Sequence, residues 1–259
     1  GSLKAVDDLS FEVQAGQVFG FLGQNGSGKS TTIRMLLSLI HPTSGQIEIF
    51  GKRIEKDREA ILEQVGAIIE RPDLYPYLSA REHLELFAKV RKQKIGEADI
   101  NATLEKVGLA HRAKDKVQTF SLGMKQRLGI GIALVHNPSL IILDEPTNGL
   151  DPQGIADIRQ LIQYLAKEEG KTVLVSSHLL SEIEQVAHQI LIIHQGKKMV
   201  EGVTKELLDP EKRIVQIKTT DDANALKVIG AGSFSNYLLP RSEGIYLKIP
   251  TREIPLLNE

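Results

Sequence analysis

Two kinds of apolar pattern alternate along this chain. Short, nearly continuous apolar runs read as strands: "LSFEV" (9–13), "VFGFLG" (18–23), "LIIL" (140–143), "KTVLVSS" (171–177) and "ILII" (190–193). Between them apolar positions recur every three or four residues, the spacing of one helix face. That spacing predicts helices over "KSTTIRMLLSLI" (29–40), "SAREHLELFAKV" (79–90), "EADINATLEKVGL" (97–109) and "QGIADIRQLIQYLAKEEG" (153–170), with another after 178. His41-Pro42 should stop the first, because proline disfavours helical geometry in the residue before it. "GQIEIFGKRI" (45–54) alternates polar and apolar residues around a glycine, as a hairpin does.

Strands alternating with helices predict an α/β fold, a mostly parallel sheet with helices packed on it and an antiparallel β element. From about residue 70 to 120 strands give way to amphipathic helices, so a helical subdomain is inserted between core segments 1–69 and 121–202. Beyond 202 the pattern weakens, and "RIVQIKT" and "GIYLKIP" predict a small strand-containing extension over 203–259. It is expected to be incomplete, since "TREIPLLNE" breaks off within what reads as a further helix. One helix is odd at its start. In "VQTFSLGMKQRLGIGIAL" (117–134) Ser121 stands where an N-cap belongs, yet Gly123 occupies the first turn, where glycine is up to about 1 kcal/mol worse than alanine. Nothing within the stretch explains that placement.

Composition narrows the classes. The 259 residues are 41% hydrophobic and 25% charged with a net charge of -1, so no polybasic surface argues for nucleic acid or anionic lipid. Cysteine is absent, which excludes disulfides, thiolate metal sites and cysteine catalysis and fits a reducing cytosol. No apolar run approaches the roughly 20 residues of a membrane helix, and no charged-then-apolar targeting signal opens the sequence.

The chemistry lies in "GQNGSGKST" (23–31), the pattern of a phosphate-binding loop, between a strand and a helix as that task requires. Its glycines remove side chains so that successive backbone N–H groups can curl around phosphate oxygens, and the following helix aims its positive dipole end at the same charge. The nucleotide-binding set is Gly23, Asn25, Gly26, Ser27, Gly28, Lys29, Ser30 and Thr31, with Lys29 on the β- and γ-phosphates and the Ser30 hydroxyl on Mg²⁺. Such a loop also needs an acid at the end of a neighbouring strand to hold Mg²⁺ through water. "LIILDEP" offers Asp144 there, and Glu145 beside it suits a general base for water aimed at the γ-phosphate. His178 closes another strand. A lone histidine there is usually structural, but a parallel sheet brings it to the edge of Asp144 and Gly23, where ligands bind, making it a candidate γ-phosphate sensor.

Together these residues resemble the ATP-binding cassette family. The resemblance covers nearly all of 3–202 and is carried by "GQNGSGKST", "FSLGMKQR", "LIILDEPTNGLD" and "SSH", in the family's order and approximate spacing. It implies a P-loop NTPase core with a helical subdomain, hydrolysing ATP with Mg²⁺. Two such domains stack head to tail around two ATP molecules. Ser121 and Gly123 would then contact the γ-phosphate held by the other subunit, and Asp151, in "TNGLD" (147–151), would lie in the loop joining the two sites. Glu70 falls where the family has a glutamine linking Mg²⁺ and attacking water to the transporter interface, so the implied metal set is Ser30, Glu70 and Asp144.

The variants "AIIERPDLYPYLS", "SLGMKQRLGIGIAL" and "VSSHLLSEIEQV" look closest to ATPase subunits of bacterial exporters for bacitracin-like peptides and lantibiotics. That implies a transport-coupled ATPase, cytoplasmic and peripheral on the inner face of the cell membrane, working with a second copy or related subunit and a transmembrane permease. The cargo would be a peptide antibiotic, drug or similar amphipathic compound. "ERPDLYPYLS" would border the groove for the permease's coupling helix, with Tyr75, Tyr77 and Leu78 readable as core or as contact. Several positions depart from the family. Glu70 brings a charge and no amide donor; Leu122 replaces the first glycine of the signature, Met124 a glutamine and Phe120 a leucine. The aromatic residue that stacks on adenine lies, in the family, upstream of the segment where this chain begins. The alternative reading is a soluble cassette ATPase acting on nucleic acid or ribosomes, but such proteins usually carry paired cassettes, coiled coils or basic linkers. A regulator without turnover would not need Glu145.

Overall fold

The computed structural model describes residues 4–91, 94–209, 214–239 and 244–248. The chain divides into two compact units, Gly1–Gly202 and Val203–Glu259. In chain order the larger unit contains β1 (Val18–Leu22), α1 (Lys29–Leu36), β2 (Glu48–Ile49), β3 (Lys52–Arg53), α2 (Ile54–Leu62) and β4 (Val65–Ile68). Next come α3 (Ala80–Val90), α4 (Glu97–Lys106), α5 (Leu122–Leu134), β5 (Leu140–Leu143) and α6 (Pro152–Lys167). It closes with β6 (Thr172–Ser177), α7 (Leu180–Ile183), β7 (Gln189–His194) and β8 (Lys197–Val203).

Continuous apolar runs need cover on both faces, and β1, β5 and β6 accordingly form the buried middle of a six-stranded sheet ordered β4-β5-β6-β1-β7-β8. Pairing is parallel from β4 through to β7. The C-terminal ends of β1, β4, β5 and β6 therefore share one edge. β8 folds back from β7 through Gln195 and Gly196, both left-handed at φ 48° and 78°, the geometry of a two-residue hairpin. One face of the sheet packs Phe19, Phe21, Ile142, Leu174 and Leu191 against Ile33 of α1 and Ile61 of α2. On the other face α7 comes close over Gly20, where a Cβ would lie 2.2 Å from Ile183 Cγ2.

Three expectations need correcting. The 9–13 segment forms no strand: Leu9, Phe11 and Val13 do pack on the core, with Phe11 stacked on Phe19 and Phe21, but the backbone joins no ladder. Its apolar residues reported which side chains are buried, not which backbone is paired. Helix α1 ends at Leu36 rather than at His41-Pro42, because Ser38 turns left-handed (φ 54°) and Leu39 N–H reaches back to Arg34 O at 2.9 Å. Strand β4 and helix α2 were not expected; β4 interrupts its apolar run with Gly66, and α2 is largely charged on its surface. The hairpin is short but real, with Phe50 and Gly51 left-handed between β2 and β3.

The helical block begins with a capping box. Ser79 Oγ accepts from Glu82 N–H, while the Glu82 carboxylate accepts from Ser79 N–H at 2.7 Å and is held below its ordinary pKa by Ser79's backbone and side-chain hydrogen bonds. Helix α5 packs on α3 and α4 and also on β4. The smaller unit holds α8 (Thr204–Leu207), β9 (Ile214–Ile217), α9 (Asp222–Ala231), β10 (Leu238–Leu239) and β11 (Ile245–Lys248), its strands forming an antiparallel sheet ordered β10-β11-β9. The expected helix in "TREIPLLNE" lies outside the described residues.

Between α5 and β5, His136 is buried with Nε2 3.1 Å from Val65 O. The carbonyl can only accept, so Nε2 carries the proton. Burial, with Arg91 and Lys171 nearby, pushes its pKa down to about 4. The unfolded chain therefore binds the extra proton first, and stability falls as pH drops from about 6.5 towards 4. Allowing for partial solvent screening, this residue should remove about 2 kcal/mol over that window. Urea unfolding of the wild type and His136→Gln between pH 7.5 and 4.5 checks this: the variant should show the shallower decline.

Candidate active site

Gly23 follows β1 and packs so tightly that a Cβ would lie 2.5 Å from Ser27 Oγ and 2.7 Å from Ile193 O. Gly26 and Gly28 are left-handed, at φ 77° and 108°, and a Cβ at Gly28 would meet Ala5 O at 2.6 Å. Between them the loop folds over Lys29, whose side chain is 5% exposed and whose Nζ donates to Gly23 O at 2.6 Å and Gln24 O at 3.3 Å. Helix α1 opens from Gly28 with no side-chain cap and no acid in its first turn. Its first N–H groups thus have no capping partner from the chain, and its dipole is uncompensated. Ser27 Oγ is buried without a hydrogen-bond partner. A buried lysine, an uncapped helix start and a spare hydroxyl within one loop form an anion cradle.

Neighbouring strands deliver acids to the same edge. Asp144 is 1% exposed, and its N–H is held by Ile68 O at 2.9 Å. Its Oδ1 accepts from Ser176 Oγ at 2.5 Å, while Oδ2 is buried and has no hydrogen-bond partner. Ser176 Oγ also accepts from Glu145 N–H at 2.9 Å, which helps hold Glu145 in a left-handed conformation, φ 50°, uncommon for a residue with a side chain. Ser176 was not singled out from the sequence; its place beside the acids comes from the register of β5 on β6. The Glu145 carboxylate is divided between two partners: Oε1 lies 3.2 Å from Lys29 Nζ, and Oε2 lies 2.7 Å from His178 Nδ1. Since a carboxylate accepts, His178 carries its proton on Nδ1. Lys29, Asp144, Glu145 and His178 thus form one connected group.

The remaining expected residues lie elsewhere. Ser121 is the N-cap of α5, its Oγ accepting from Met124 N–H at 3.2 Å, and it is exposed together with Leu122, which is 38% exposed. A Cβ at Gly123 would lie 3.9 Å from Gly154 Cα, and one at Gly149 would lie 3.6 Å from Leu122 Cδ2. The start of α5 therefore borders the 147–151 loop and the start of α6. Asp151 has a structural task here, capping α6 by accepting from Gly154 N–H at 3.1 Å. Glu70 is held in an ion pair. Its carboxylate is exposed and accepts from Arg34 Nη2 at 2.7 Å. An amide would have held that guanidinium less strongly; the charge of glutamate explains the pairing. Beyond it, His83 receives Tyr75 N–H on Nε2 at 2.9 Å, pinning a loop that leaves Tyr75 and Tyr77 exposed and Leu78 half-buried.

Comparison with known proteins agrees with this geometry. The family profile described as "ABC transporter" matches residues 6–148. The chain is 50% identical to the bacitracin transport ATP-binding protein BcrA of Bacillus licheniformis, over 87% of this chain and 74% of that one. It is 43% identical to the lantibiotic transport ATP-binding protein SrtF of Streptococcus pyogenes, over 78% of this chain and 85% of the other. Among solved structures, an ATP-binding subunit of an ABC transporter superposes with a TM-score of 0.68 at 33% identity, covering 78% of this chain and 85% of that one. A cassette solved as a dimer in a post-hydrolysis state with ADP and Pi superposes at 0.69 with 26% identity, covering 77% and 90%. With the profile matched over more than half its length and a half-identical relative spanning most of it, the chain belongs to the ABC transporter family, as an ATP-binding and ATP-hydrolysing subunit.

Proposed function

We propose that the chain is one half of an ATP-driven dimer docked on a transmembrane permease at the cytoplasmic face of the membrane. The assembly would export a peptide antibiotic of the bacitracin or lantibiotic kind, or a similar amphipathic compound. The observation that carries this reading is the division of site residues between two surfaces. Lys29, Asp144, Glu145 and His178 share one sheet edge, whereas Ser121 and Gly123 open an exposed helix end beside the 147–151 loop. A second copy stacked head to tail completes each site, Ser121 Oγ and the bare backbone at Gly123 meeting the γ-phosphate cradled by the opposite loop. Relatives named for bacitracin and lantibiotic transport support the cargo class, and a related cassette solved as a dimer supports the assembly. Residues 1–202 are the proposed nucleotide-binding domain, with a helical subdomain near 70–120; Tyr75 and Tyr77 are the exposed residues offered to the permease.

Within each site the roles follow from charge and reach. Lys29 exchanges Glu145 for the β- and γ-phosphates, which leaves Glu145 free to take a proton from the attacking water. His178, oriented by Glu145 through Nδ1, presents its other ring nitrogen to the γ-phosphate. Asp144 Oδ2, buried and unpartnered, and the Ser30 hydroxyl are hard oxygen donors that fit Mg²⁺, an ion that leans on phosphate and water oxygens rather than on a carboxylate cage. Once bound it would neutralise charge on the phosphates. Glu70 joins that set only by releasing Arg34. Glu70→Gln is thus expected to shift the Mg²⁺ concentration for half-maximal hydrolysis severalfold while ATP affinity stays within about twofold. An unchanged metal titration removes Glu70 from the metal site. The transport reading is tested by purifying the chain from its native membrane. An integral membrane partner should co-purify, and a bacitracin- or lantibiotic-type peptide should stimulate turnover of the complex; a nucleic acid or ribosomal partner instead would overturn the proposal.

A further inference from the structure

We infer that Glu182 is a positioning residue for the reaction, a clasp that joins the 147–151 loop to His178. Two hydroxyls from distant segments donate to the same carboxylate oxygen: Thr147 Oγ1 reaches Glu182 Oε2 at 2.7 Å, and Ser177 Oγ reaches it at 2.8 Å. Ser177 Oγ in turn accepts from Leu179 N–H at 3.0 Å, so its rotamer is fixed from both sides and the chain direction at His178 with it. His178 leaves that turn with Nδ1 on Glu145 Oε2 at 2.7 Å. On the opposite side Thr147 heads the turn leading to Asp151, tied by Leu150 N–H to Thr147 O at 3.1 Å. Glu182 lies on α7, which is only four residues long and receives no side-chain cap, so α7 is itself anchored to the sheet edge through this carboxylate and Ile183. A shift of the 147–151 loop therefore reaches the residue preceding His178 through one shared acceptor, without passing through nucleotide. The clasp rests on the proposed reading that His178 and Glu145 act on the γ-phosphate and that the loop spans two sites. It gives that loop a means of setting the histidine.

The test is ATP hydrolysis by the full chain across ATP concentrations, with nucleotide affinity measured separately by equilibrium binding of radiolabelled ATP. Glu182→Ala should lower kcat about tenfold while KM and affinity stay within about twofold, as expected when a catalytic group is misplaced and binding is not. Glu182→Gln should retain near wild-type kcat, because an amide oxygen accepts both hydroxyls as the carboxylate does. Thr147→Val, which keeps its shape, should lose kcat severalfold, and combining it with Glu182→Ala should add little further loss. If Glu182→Ala does not fold, the Thr147→Val and Glu182→Gln results decide the matter. Wild-type kcat in Thr147→Val, equal losses in Glu182→Ala and Glu182→Gln, or strictly additive losses each overturn the clasp. Glu145→Gln separates the two levels. Wild-type turnover there overturns the site assignment itself, whereas an inactive Glu145→Gln beside a fully active Glu182→Ala overturns the clasp alone.

Discussion

Glu145→Gln is expected to bind ATP about as tightly as the wild type and to hydrolyse it at least about a hundredfold more slowly. The substitution keeps the side chain's shape and leaves an amide oxygen to accept from His178 Nδ1, so the histidine stays oriented. What it removes is a proton acceptor and one half of the 3.2 Å pair with Lys29. Freed from that pair, Lys29 meets the phosphates without first giving up a carboxylate, so affinity should hold or rise. Backbone strain at Glu145, left-handed at φ 50°, is the same for glutamine and does not confuse the comparison. With hydrolysis blocked and binding intact, ATP should hold two copies together. Light scattering with and without ATP should register a monomer–dimer shift in the variant that the wild type shows only transiently. Rapid turnover by Glu145→Gln sinks the general-base assignment. Slow turnover with no dimer instead sinks the assignment of Ser121 and Gly123 to a partner's nucleotide.

Which parts of this site could be read from sequence follows from how local each cause is. The phosphate loop is legible because its glycines lie within a few residues of Lys29 in one recognisable pattern, although the atoms that crowd Gly23 and Gly28 include Ile193 O and Ala5 O from distant segments. Asp144 and Glu145 end an apolar run, so strand polarity alone brings them to the edge of Gly23. Ser176, Glu182 and Arg34 are different. Ser176 meets Asp144 through the β5–β6 register, Glu182 meets Thr147 across 35 residues, and Arg34 meets Glu70 across 36. No periodicity within a single segment encodes such contacts. The odd helix start at Ser121 falls between these cases. Its N-cap was readable, and the structure adds why Gly123 is tolerated: the backbone there faces Gly154 at the start of α6, in a corner also bordered by Leu122 and Gly149.

Gly66→Ala should be the most disruptive single methyl in the larger unit, and its effect should reach the signature. Gly66 lies in β4, paired with Ile141 of β5, and α5 crosses directly over it. A Cβ there would lie 2.1 Å from Ala133 O, 2.9 Å from Ala133 C and 3.0 Å from Pro138 Cγ. The nearest obstacle is helix backbone, which cannot rotate aside as a flexible side chain would. Either α5 lifts from the sheet or β4 shifts against β5, and both break packing among fully buried residues such as Leu128, Ile130 and Ile141. Overpacked cores lose about 1–3 kcal/mol, occasionally more, and a backbone obstacle argues for the upper end. For a domain of this size that is a drop in Tm of about 5–10 °C. Gly230→Ala in α9, with nothing near its Cβ position, is the control and should hold or gain stability slightly. Because α5 is one rigid rod from Leu122 to Leu134, displacing its Ala133 end also moves Ser121 and Gly123. Turnover below the melting range should therefore fall in Gly66→Ala while ATP binding to the phosphate loop persists. Equal Tm values for Gly66→Ala and the wild type would show that α5 is not seated on Gly66; lost stability with unchanged turnover would show that the seat does not govern the signature.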